Sequence, residues 1–394
     1  MKKSHCLVLL LITIAFTAST PAEDQLTPLV VSPLVDTTRQ VTGTDGKVHL
    51  VYELVLTNTN ITPATPKKIE VLLDGQSTPL ATFQDEDLRV RLRNTGNGEV
   101  KNPVIEYNGT RIFFVDFALD WWKTPPTRLW HRIETLAAPS PSPKEQTPVL
   151  LTYTVAPIDI FQKVPIVIGP PLHGKGWLAL NGCCAPGSGH RSTGLPVNGK
   201  IYFAQRFAID WMQMDDQGRL INGDPSDVRG YTSYGADVIA VADGKVVEIL
   251  NDLNDQKPGV MPDPSTINVH NVDGNHIVID LGGGVFAFYA HLQKGSVAVK
   301  PGDHVHRGQK LAKLGNTGNT SGPHLHFHLM NGPSVLGSNG IPYVIDSFAF
   351  DGTVSEKQFQ DAKDLTGNWG TGRLPSPSPR KLQFPLDLNI VDFP

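Results

Sequence analysis

Residues 324–330 read HLHFHLM, with an imidazole at every second position and Leu325, Phe327 and Leu329 between them. A β-strand sends alternate side chains to opposite faces. The stretch is therefore read as a strand that offers His324, His326 and His328 to one side and an apolar row to a core. It follows a glycine-rich turn, GNTGNTSGP (315–323), whose glycines permit close backbone approach beside a groove. A solvated polar face accounts for a bare H-x-H as readily as a binding site does, so the rest of the chain has to decide.

The remaining pattern is also β. In LVYELVLT (50–57), Leu50, Tyr52, Leu54 and Leu56 share a face; in RIFFVDFAL (111–119), Phe113, Val115, Phe117 and Leu119 do so. Period-two apolarity broken by Asn, Gly and Pro turns predicts an antiparallel β-sandwich over 23–165. No catalytic constellation is evident there, and Asp116, Asp120, Trp121 and Trp122 read as a strand end and its turn. A second β-rich region, 166–350, holds ADVIAVADGKVVEIL (236–250), HIVIDLGGGVFAFYAHL (276–292) and GQKLAKLGNTG (308–318). Its long polar loops, about 214–235 and 251–274, are candidate binding walls, with Tyr234 and Asn275 among the groove-lining candidates. Residues 351–394 carry a Pro-Ser run and read as an extended tail whose apolar end, Leu386 to Phe393, docks on a domain. The chain is thus expected to be all-β.

Lys2 and Lys3 precede the apolar run CLVLLLITIAF (6–16), and small residues follow at 20–22, so residues 1–22 read as a secretory signal. No later segment is apolar for long enough to span a bilayer, which points to an exported chain in the periplasm or outside the cell. With a net charge of −4 and no Lys/Arg run, nucleic acid is excluded as the natural partner. Beyond the signal only Cys183 and Cys184 remain. An exported compartment favours oxidation; a bridge between neighbours and two reduced thiols both stay open. Their spacing does not fit a structural zinc site.

Two further stretches bear on the histidines. FYAHL (288–292) ends an apolar strand in His291, and RFAIDW (206–211) sets Asp210 within an apolar strand. An unpaired buried carboxylate is costly, so Asp210 needs a cation, a donor or a metal. Aspartate with histidine is a donor set that suits zinc.

AIDW, GADVIAVADGKVV, GNHIVIDLGGGVFAFYAHL and VKPGDHVHRGQKLAKLGNTGNTSGPHLHF, in that order over about 200–332, resemble the lysostaphin-type zinc metallopeptidases that cut peptidoglycan cross-links. The resemblance implies a duplicated-hybrid-motif-like antiparallel β catalytic domain over 166–350, with the sandwich as a spacer or docking module. It also implies one zinc ion (Zn2+), Asp210 and His326 as metal ligands, His324 and His291 as catalytic histidines, and peptidoglycan peptides as substrate. Oligomeric state and the bond cut are not legible.

The resemblance breaks at one place. The family pattern H-x-x-x-D would put a ligand histidine at position 206, which here is Arg206, and a guanidinium has no lone pair for a metal. One solution is a relocated ligand, His190, in SGHRSTG (188–194). The other is a degenerate module that binds wall or activates another wall enzyme, its empty site filled by an Arg206–Asp210 pair. A zinc-binding adhesive or transport protein is a third reading, but it has no need of His291 and His324. Of the remaining histidines, His276 reads as partly exposed, His304 and His306 as surface groups, His328 as a hydrogen-bonding support, and His173 and His270 as loop residues without evident partners.

Overall fold

The structure is a computed structural model and describes residues 24–96, 98–120, 126–140, 146–163, 165–361, 365 and 367–394. The expected leader over 1–22, and Trp121 and Trp122, lie outside the described residues. Strands dominate the rest, with two short α-helices at Asp85–Arg91 and Glu356–Asp361. The all-β expectation holds.

Two five-stranded sheets form the N-terminal part. One runs Val30–Pro33, Val48–Thr57, Thr110–Leu119, Leu92–Asn94, with Gln40–Thr42 also on Val48–Thr57; the other runs Thr37–Thr38, Val149–Ile160, Arg128–Ala137, Thr65–Leu73, Pro79–Gln84. Leu50, Tyr52, Leu54 and Leu56 are buried together with Phe113, Val115, Ile69, Val71 and Ile133, the shared core that their alternation predicts. The second face of Val48–Thr57 is covered as well. Val51 joins the core of the larger sheet beyond, and Glu53 has no exposed surface.

That larger sheet has 12 strands among the described residues. Its path is Val167–Ile168, Val344–Thr353, Asn389–Phe393, Gly174–Leu180, Ile209–Gln213, Leu325–Met330, Val285–Leu292, Asn275–Gly282, Gly244–Leu250, His304–Val305. The C-terminal segment departs from the extended tail expected of it. Asn389–Phe393 lies inside the sheet, paired with both Gly174–Leu180 and Val344–Thr353, because Ile390, Val391 and Phe393 are apolar enough to fill a central strand. The Pro-Ser run falls in Arg373–Gln383, which pairs Val344–Thr353. There it is mostly exposed, and prolines that cannot donate to a ladder are tolerated at an edge.

His131 sits in the sandwich core with no exposed surface. Its Nδ1–H donates to the Ala156 carbonyl at 2.7 Å, so its Nε2 accepts from the Tyr52 hydroxyl at 2.8 Å. Burial pushes its pKa down from 6.5 to about 4. The unfolded chain takes up this proton near pH 6.5 and the folded chain only near pH 4. Stability from neutral His131 is therefore complete above the higher value and is lost as pH falls towards the lower one, by on the order of 3 kcal/mol. Thermal unfolding followed over that window should show the loss, and His131→Gln should flatten the slope.

Candidate metal centre

The sheet register brings Asp210 and His326 together. Ile209–Gln213 and Leu325–Met330 are antiparallel, with Asp210 opposite His326, and Ala290 faces His326 from the other side. His291 follows Ala290 directly. Its backbone φ is +60°, the left-handed region that non-glycine residues seldom enter. Three contacts hold it there. Its N–H donates to the Asp273 carbonyl at 3.1 Å, its own carbonyl accepts from Gly315 N–H at 3.0 Å, and its Nδ1–H donates to the Thr317 carbonyl at 2.7 Å.

His190 arrives from the segment between Gly174–Leu180 and Leu195–Val197. Its Nε2 is 3.2 Å from Asp210 Oδ2, and its ring stands edge-on to His326 at 4.7 Å between centroids. His190, Asp210 and His326 are all buried, and each offers an atom within 4.8 Å of the others. Arg206 does not touch Asp210 in this arrangement. Its Nε and Nη2 donate to the two oxygens of Glu53 at 3.1 and 2.5 Å, and its Nη1 to the Gly340 carbonyl. The internal pair needed for a degenerate site is absent among the described contacts, and His190 rather than Arg206 lies beside Asp210.

The hydrogen bonds also fix which ring nitrogens face inward. A carbonyl only accepts, so the nitrogen facing it carries the proton. Nδ1–H of His190 donates to Ala208 at 3.2 Å and Nδ1–H of His324 to Gly322 at 2.8 Å. Both present Nε2 to Asp210, with His324 Nε2 at 3.3 Å from Oδ1. His326 is turned the other way. Its Nδ1 is 2.9 Å from Asp210 Oδ1, and its Nε2 is 3.0 Å from Nδ1 of the buried His328. Asn181 Nδ2 donates to Asp210 Oδ2 at 2.8 Å.

These residues fit a zinc ion. Several lone-pair nitrogens facing a carboxylate repel one another unless a proton or a cation lies among them, and one divalent cation satisfies them together. The second nitrogen of each candidate ligand histidine has a fixed partner, as metal-bound imidazoles usually do. Charges in the cluster follow the same logic. Burial would raise the Asp210 carboxyl, but His190 and His324 hold it well below the usual carboxylate range. Burial disfavours charge on His190 and His324, yet Asp210 beside them raises both. Burial, with His324 and His326 adding to it, holds His291 well below its ordinary value. The His324 side chain is 14% exposed against 3% for His326, so the cluster opens towards solvent on the His324 side.

The 251–274 loop is anchored next to the turn that precedes H-x-H, with Gly259 N–H donating to the Ser321 carbonyl at 2.8 Å. Asp255 accepts from Tyr234 O–H at 2.9 Å and from Asn316 N–H at 2.7 Å, which ties the loop to the turn before H-x-H. Gly318 lies so close to Gly274 that a Cβ would meet its backbone nitrogen at 2.2 Å. Other expectations need correction. His276 is buried rather than partly exposed, with Nδ1–H donating to the Gly274 carbonyl at 2.9 Å. His173 has a partner, the Pro394 carbonyl at 2.6 Å. Of the two states left open for Cys183 and Cys184, the bonded one is present. The cavity of about 680 Å³ lined by Arg39, Val51, Tyr202 and Ile341 lies between the sheets and contains none of these imidazoles. Sequence reasoning missed Asn181, Glu53 and Arg191, whose partners are remote in the chain.

A carboxylate and buried imidazoles with one flank open to solvent are the donor set of a mononuclear zinc hydrolase. Comparison with known proteins agrees with that class. Residues 228–337 match Peptidase family M23. It is similar to peptidoglycan DD-endopeptidase ShyB of Vibrio cholerae serotype O1, 34% identical over 113 residues that make up 29% of this chain and 21% of ShyB. Peptidoglycan DD-endopeptidase ShyA of the same organism is 44% identical over 61 residues, 16% of this chain and 14% of ShyA. The alignments thus span about a fifth or less of these relatives' length. The catalytic domain of lysostaphin from Staphylococcus simulans is 24% identical, with a TM-score of 0.22, over 37% of this chain and 80% of that one. His291, His324 and His326 lie within the family match; His190 and Asp210 lie upstream of it.

Removing the acceptor behind His326 should be felt at the metal. In His328→Leu, zinc affinity measured by competition with a chromophoric chelator should fall about 10- to 100-fold while the fold is retained.

Proposed function

We propose that this chain is an exported zinc metalloendopeptidase that hydrolyses peptide bonds in peptidoglycan, with His190, Asp210 and His326 as metal ligands and His291 and His324 as the catalytic histidines. The observation that carries the reading is the convergence of His190, Asp210 and His326 within 4.8 Å beside two further imidazoles whose Nδ1–H groups are tied to backbone carbonyls. Similarity to DD-endopeptidases supports the substrate class, and the family match over 228–337 holds His291, His324 and His326. The N-terminal sandwich, over about 23–165, serves the 166–350 catalytic domain as a docking and support module. Action in the periplasm or outside the cell follows from the leader read at 1–22 and from a substrate that lies outside the cytoplasm.

When bound, zinc supplies a Lewis acid that polarises a carbonyl and makes water nucleophilic near neutral pH. The chain supplies the rest. His291, kept neutral by burial, has Nε2 available to take a proton from water. His324, the most exposed of the cluster, is anchored through Nδ1–H and faces the site through Nε2, where a proton can stabilise a developing oxyanion or pass to the leaving amine. Their rings lie 4.7 Å apart between centroids, so both can reach one scissile bond. Gly322 and Thr317 carbonyls keep each ring from turning. Asp210 stays ionised and the loop from 251 to 274 borders the substrate.

Purified cross-linked wall peptides, separated by chromatography after incubation, test the proposal. The wild type should release new amino termini and a chelator should abolish release. His324→Ala should keep one zinc per chain and lose about 10²- to 10⁴-fold in rate. His190→Ala should lose zinc. Hydrolysis that survives complete metal removal, or zinc binding untouched in His190→Ala, would sink the assignment.

A further inference from the structure

His190 is held by no strand ladder. It lies between Gly174–Leu180 and Leu195–Val197, in a segment fixed locally by turn bonds such as Thr193 Oγ1–H to the His190 carbonyl at 2.8 Å. The next residue, Arg191, is only 1% exposed and points into the N-terminal sheet. Its Nη2 donates to the carbonyls of Tyr52 at 3.0 Å and Val115 at 3.1 Å, residues that face each other across paired strands. Its Nη1 pairs with Glu53 Oε1, and its guanidinium lies 4.9 Å from the Phe114 ring centre. Arg206, four residues before Asp210, grips the same Glu53 carboxylate through two nitrogens. The chain flanking His190 and the chain leading into Asp210 therefore converge on one carboxylate that belongs to a different sheet.

We propose that Glu53, Arg191 and Arg206 are positioning residues for the metal centre: the N-terminal sandwich holds His190 at ligand distance by docking its neighbour Arg191. This rests on the reading of His190 as a ligand. Asp210 is already fixed by ladders on both sides of its strand. His190 has no such support. Adjacent side chains leave the backbone in set directions, so seating Arg191 in a slot of three rigid acceptors also sets the rotation of the backbone that presents His190. A planar guanidinium spans carboxylate and two carbonyls at once, which a lysine ammonium cannot. The arginine that replaces a ligand at position 206 thus belongs to the device that brings in the substitute. The competing account is that the cluster only glues two sheets together.

The test uses the full chain in two charge-conserving variants, Arg191→Lys and Glu53→Asp, beside His190→Ala and wild type. Three quantities are read: the circular dichroism of the metal-free protein, the zinc dissociation constant by chelator competition, and the visible absorption of the cobalt-substituted protein, which reports coordination geometry. At least one of the two charge-conserving variants should fold like wild type, bind zinc about 10- to 100-fold more weakly, and move the cobalt spectrum towards that of His190→Ala. If every folded one of Arg191→Lys and Glu53→Asp keeps the wild-type constant and spectrum while His190→Ala loses both, the cluster is only an interface and the ligand reading stands. If His190→Ala leaves both unchanged, the ligand reading fails and this proposal with it.

Discussion

Asp210 is a carboxylate taken almost wholly out of water, in the middle of a sheet, and the rest of the site is arranged round that fact. Isolated burial of such a charge is prohibitive, so the surrounding groups have to supply compensating charge and hydrogen bonds. Asn181 contributes one donor, and His190, His324 and His326 approach with ring nitrogens. Imidazoles compensate fully only when protonated, and three imidazolium groups so close together would repel each other. A divalent cation removes the conflict, because it matches the carboxylate and accepts the imidazole lone pairs together. The site therefore asks for a metal on electrostatic grounds, independently of any relative.

The Glu53 cluster shows the opposite solution to the same problem. There a buried carboxylate is matched by two guanidiniums, groups that stay protonated and have no lone pair. Arg206 had the sequence position to reach Asp210 and instead turns to the other face of its segment. Two buried carboxylates thus partition the nearby side chains by chemistry: lone-pair donors gather at Asp210 and permanent cations at Glu53. Mixing them would fill the first site with an internal ion pair and leave no room for an ion. Removing one partner from either cluster leaves uncompensated buried charge, which costs about 3–5 kcal/mol in comparable settings.

Much of this was legible in the sequence. Alternation in HLHFHLM and in LVYELVLT gave strands with the observed inward faces, because periodicity of two is a local property of the chain. The isolated Asp210 in AIDW announced a buried charge for the same reason. His190 could be nominated as a histidine with a vacancy to fill, but nothing local says why a loop residue should stay in place. That information is held by Glu53, which alternates with the apolar row of its strand, and by the backbone carbonyls of Tyr52 and Val115, all distant in sequence. The last strand was misread because the Pro-Ser run before it looks like a tail. Only the gap between Gly174–Leu180 and Val344–Thr353 makes the residues from 389 to 393 a central strand, and that gap exists only after long-range pairing.

The backbone at His291 bears on the proposed chemistry. A histidine at φ +60° is held in a sparsely populated conformation, which persists only where its surroundings over-determine it. Here the surroundings are three separate segments: Asp273 at the end of a long loop, Gly315 at the start of the glycine-rich turn, and Thr317 within that turn. Thr317 is itself fixed, accepting from Asn275 N–H at 2.8 Å and donating to the Leu292 carbonyl at 3.0 Å. The close approach of Gly274 and Gly318 is what lets these segments meet. A regular continuation of the strand would carry the imidazole away from His324. The left-handed residue bends it back, and the fixed Nδ1–H leaves one nitrogen with one direction to act in. In the proposed mechanism, local strain is thereby exchanged for a base that needs no reorientation when substrate arrives, which is the form that preorganisation takes in a site built on a rigid sheet.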